Sequence, residues 1–68
     1  MHPSTEAILK YFDYGHLPDG KLRTTSKRFC SLAYDLTESL PEGPELTVCL
    51  RKLLEAKDCA VRAALDLT

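Results

Sequence analysis

Apolar residues recur three or four positions apart in three stretches of this chain, and Pro/Gly-rich breaks separate the stretches. Such spacing predicts amphipathic helices. The first stretch, about 3–14, places Ile8, Leu9 and Phe12 on one face, with Tyr11 at its edge. Pro3 suits a first helical turn, where a missing N–H costs nothing, and Glu6 suits the positive end of the helix dipole. Gly15 and the run His16-Leu17-Pro18-Asp19-Gly20 end it. The second stretch, about 21–40, repeats Leu22, Phe29, Leu32, Ala33, Leu36 and Leu40 at helical spacing. The tight break Pro41-Glu42-Gly43-Pro44 predicts that it folds back on the third stretch, about 45–65. No alternating strand pattern, repeat or low-complexity tract interrupts this plan. The expected fold is all-α: one domain over 1–68, with a short N-terminal helix followed by an antiparallel helical hairpin.

The third helix is the most telling. At about 100° per residue, Leu46, Leu50, Leu53, Leu54, Ala60, Val61, Ala64 and Leu65 span an arc roughly 160° wide. One hairpin partner cannot cover so broad an arc, so part of it is expected to pack on helix one or on another subunit. Length adds weight to the second option. A core in a chain of 68 residues rarely supplies more than about 3–5 kcal/mol, and chains of this size usually need a disulfide, a metal or oligomerisation. Cys30, Cys49 and Cys59 are odd in number, and no signal peptide is read ahead of them. No CxxC, HxxxH or carboxylate–histidine cluster offers a metal site. A homo-oligomer of reduced chains is therefore expected.

Charge and residue spacing narrow the function further. Nine Lys/Arg against ten Asp/Glu leave a net charge of −1, which argues against a broad DNA or RNA footprint. No apolar run approaches the ~20 residues of a membrane span. Gly15, Gly20 and Gly43 stand apart, so no phosphate-cradling loop exists. The cysteines have no histidine at helical spacing and read as small apolar packing residues. His2 sits at the terminus and His16 in a turn. Nothing in this pattern supports catalysis, and no cofactor is implied.

Three basic residues carry alternatives. Arg23, Lys27 and Tyr34 project together from a flank of the second helix, about 100–140° from its apolar seam. Such a group can hold a phosphate and stack a base, and it can equally be solvated surface. Lys57 falls near the middle of the third helix's apolar arc. Its stem can lie on leucine while its ammonium reaches water, or it can meet a phosphate or carboxylate at an interface.

Taken in order, HPSTEAILKYFDYGHLP at 2–18, TSKRF at 25–29, LPEGPEL at 40–46 and LRKLLEAKDCAVRAAL at 50–65 resemble the phage anti-CBASS cyclic-oligonucleotide sponges. These small helical proteins sequester the signalling nucleotides of bacterial antiphage defence. The likeness runs from His2 to Leu65. It implies a homohexamer in the cytoplasm of the infected host, binding cyclic dinucleotides between protomers without cleaving them. Some members also take cyclic trinucleotides at separate pockets. The resemblance places a base-stacking tyrosine at Tyr11 and a phosphate-binding lysine at Lys27. Ser26 and Lys57 are further ligand-binding candidates. Two features depart from the family pattern: the turn over 17–22 is one residue longer, and Arg28 stands where proline is expected. Both adjoin the phosphate contact, so they bear on ligand preference. The competing expectation is a helical protein-interaction module with no nucleotide ligand.

Overall fold

The computed structural model describes residues 3–18 and 20–66. Three helices account for most of them: α1 (Pro3–Leu9), tightening into a 3-10 turn (Lys10–Phe12), then α2 (Lys21–Ser39) and α3 (Pro44–Asp66). No strand occurs among the described residues. His2 and Asp19 lie outside them.

The first helix stops two residues earlier than the apolar spacing predicts. Asp13 adopts an extended conformation, and its carboxylate accepts the Gly15 N–H at 3.1 Å. A short polar side chain that captures a backbone N–H two residues on offers the chain an alternative to further helix. The Leu17 N–H then donates to the Tyr14 carbonyl at 3.1 Å, so a built turn replaces the expected last helical turn. Tyr14 is thereby taken off the helix. Gly20 opens α2 at φ 124°, a conformation that suits glycine and strains side chains.

The reversal between the long helices follows from its residues. Leu40 precedes Pro41, which disfavours helix at position 40, and Leu40 is indeed extended. Pro44 then opens α3 at the position where proline's missing donor costs nothing. With only residues 40–43 between them, α2 and α3 pack against each other as a hairpin.

The core forms where α1 lies across this hairpin. Leu9, Phe12, Ala33, Leu46 and Leu50 are buried together, with Ile8, Phe29, Cys30, Leu53 and Leu54 packed against them. Thr5, fully buried, ties α1 to the hairpin loop by donating to Glu42 Oε2 at 2.9 Å. Helix one thus takes much of the arc that exceeded a single hairpin partner. Leu46, Leu50 and Ala64 are buried within one chain, whereas Leu65 stays 51 % exposed. Leu54 packs against the protomer's own core.

Candidate functional site

The candidate residues occupy different environments. Tyr11 belongs to the 3-10 turn and is 67 % exposed, although its neighbour Phe12 is fully buried. A turn that aims Phe12 inward must aim Tyr11 outward. Lys27 is exposed on α2, away from the seam with α3. It lines an open groove of about 370 Å³ together with Tyr14, Gly20, Arg23 and Thr24. Here the Arg23 guanidinium carbon lies 5.8 Å from the centre of the Tyr14 ring, within the range of a cation–π contact. The ring beside the basic pair is therefore Tyr14. Tyr34 shares their side of α2 but lies seven residues beyond Lys27, about 10 Å along the axis. It lines a second groove with Leu9, Lys10, Asp13 and Cys30.

Ser26 and Lys57 are placed apart from this groove. Ser26 is 1 % exposed, and its hydroxyl has no partner among the described residues. It lies two helical turns before buried Ala33, and that spacing alone puts it on the seam. Burying an unsatisfied hydroxyl costs about 1–3 kcal/mol. Ser26→Ala is accordingly expected to hold or raise the melting temperature, which a thermal melt would check; a clear drop would mean that the hydroxyl is satisfied. Lys57 keeps 15 % of its side-chain surface in water and pairs with Asp58 at 3.1 Å. That arrangement matches the reading in which the stem lies on apolar surface and the ammonium reaches out.

The cysteines divide. Cys30 is half-buried beside the core, and burial, followed by the negative charge of Asp13, pushes its thiol up. It is held protonated and poorly nucleophilic. Cys49 and Cys59 are exposed, which corrects their reading as packing residues. Cys59 Sγ instead accepts from Arg62 Nη2 at 3.2 Å. Among the described residues, no group of three His, Cys, Asp or Glu side chains could hold a metal ion. No described helix is long and apolar enough to cross a membrane.

Wheel arithmetic on one helix missed Tyr14, because its placement depends on the Asp13 turn. The signal that could have found it is Asp13-x-Gly15, a pattern suited to capping by the aspartate side chain. Comparison with protein-family models, with curated proteins and with solved structures finds no match to this chain.

Proposed function

We propose that this chain is an anti-CBASS sponge, a non-enzymatic protein that sequesters cyclic dinucleotides as a homo-oligomer in the cytoplasm of the infected bacterial host. Cyclic trinucleotides are a second ligand class in this reading. The observation that carries it is the pairing, on one small helical chain, of an exposed stacking ring at Tyr11 with an open cationic groove at Lys27. Neither side chain belongs to the buried core. Exposed tyrosine can be given to a base and exposed lysine to a phosphate without loss of packing.

The shape of the ligand and of the groove supports assembly. Tight small-molecule sites bury most of their ligand's surface, roughly 70–90 %. The Lys27 groove is open to solvent and does not include Tyr11, so one protomer cannot enclose a dinucleotide. A cyclic dinucleotide has approximate two-fold symmetry, and an isologous interface supplies every contact twice. In this arrangement Tyr11 of one copy and Lys27 of another close on the same ligand. Light scattering is expected to give a multiple of the 7.6 kDa chain mass. A monodisperse 7.6 kDa species with full binding would contradict the assembly.

The reading as a protein-interaction module draws on one feature: Leu32, Val48 and Leu65 stay substantially exposed. Thermal shift with a panel of purine cyclic dinucleotides separates the two. A ligand at a hundredfold its Kd stabilises by about 2.7 kcal/mol, which for so small a domain raises Tm by about 10–20 °C. No shift with any member of the panel would favour the interaction module.

A further inference from the structure

Resting on the nucleotide-binding reading above, we infer that Arg23, laid on the ring of Tyr14, is a second phosphate-contacting residue in the groove of Lys27. Each copy of the chain then meets its phosphodiester with two cations. Tyr14 is the positioning residue that makes the arginine effective.

Arg23 and Lys27 are one helical turn apart, the spacing at which side chains on a helix surface are neighbours. Both line the same groove, and its described side chains carry two positive charges and no negative one. The groove's volume, about 370 Å³, lies near the lower end of small-ligand sites. It suits the phosphate–sugar edge of a nucleotide, leaving the base to a ring elsewhere.

The two cations do different work. Lysine is a flexible point charge, whereas the planar guanidinium can give two parallel N–H bonds to the two non-bridging oxygens of a phosphodiester. Arginine normally loses much rotamer freedom when it binds. Contact with Tyr14, at 5.8 Å from the ring centre, restrains the guanidinium in the groove before ligand arrives. Preorganisation of this kind improves affinity by reducing the ordering cost at the moment of binding. Thr24, also in the groove, adds a hydroxyl donor within the same wall.

The test is calorimetry on the full-length chain with a purine cyclic dinucleotide, at several salt concentrations. Arg23→Ala is expected to weaken binding by about a hundredfold or more, because a symmetric site loses the charge-assisted contact twice, and to flatten the salt dependence. Arg23→Gln keeps the stem and removes the charge, and it gives the same reading should the alanine variant fold poorly. Tyr14→Ala should weaken binding, and Tyr14→Phe should restore it, because the phenyl ring still carries the guanidinium. Wild-type affinity and an unchanged salt slope in Arg23→Gln would overturn this inference while leaving the sponge reading intact. Failure of the wild type to bind any cyclic dinucleotide would overturn both.

Discussion

Tyr11→Ala and Lys27→Ala are each expected to weaken capture of a cyclic dinucleotide by about two orders of magnitude or more, with little change in the Tm of the ligand-free protein. A base stack is worth about 1–3 kcal/mol, and a hydrogen bond to a charged group about 1.5–3 kcal/mol. A symmetric site loses each contact twice, so these costs double. The structural cost is small because Tyr11 is 67 % exposed and Lys27 is exposed. Substitutions at such surface positions usually move stability by less than about 0.5 kcal/mol. Tyr11→Phe keeps the ring and should keep most of the affinity. Calorimetry on the three variants checks this, and undiminished binding by Tyr11→Ala would remove the ring from the site.

One position further along, the expectation reverses. Phe12→Ala should unfold the protomer or leave it only partly folded. Phe12 is fully buried among Leu9, Ala33, Leu46 and Leu50, where α1 meets both long helices. Emptying such a site costs about 3–5 kcal/mol. A core of this size supplies no more than about the same amount. Circular dichroism should therefore show a strongly lowered or absent melting transition, with any loss of binding following the loss of fold. A cooperative melt close to wild type would mean that α1 contributes little to the core. If the proposed site is right, Tyr11→Ala should lose binding and keep the fold, and Phe12→Ala should lose the fold itself.

Much of this plan was legible in the apolar period. Leu22, Phe29, Ala33 and Leu36 defined α2, Pro41 to Pro44 marked the reversal, and the breadth of the α3 arc called for a third covering element. Helix one proved to be much of that cover. What escaped was decided by single side chains acting on the backbone or across elements. The stop after Phe12 depends on the Asp13 carboxylate taking the Gly15 N–H, a local choice that period cannot reveal. The meeting of Tyr14 with Arg23 follows from that turn, and a wheel drawn for one helix compares only residues of that helix. Ser26 is different: its spacing from Ala33 already placed it on the buried seam. Its neighbour Lys27 points to the exposed flank, about 100° away.

The proposed function comes down to one property, the removal of an intact cyclic dinucleotide from solution. The direct measurement incubates a purine cyclic dinucleotide with excess protein, filters away the protein, and then releases the ligand by heat for chromatography. The account predicts that the filtrate is depleted and that heating returns the same dinucleotide uncleaved. A filtrate that retains its ligand would contradict binding, and a linearised or hydrolysed product would contradict sequestration.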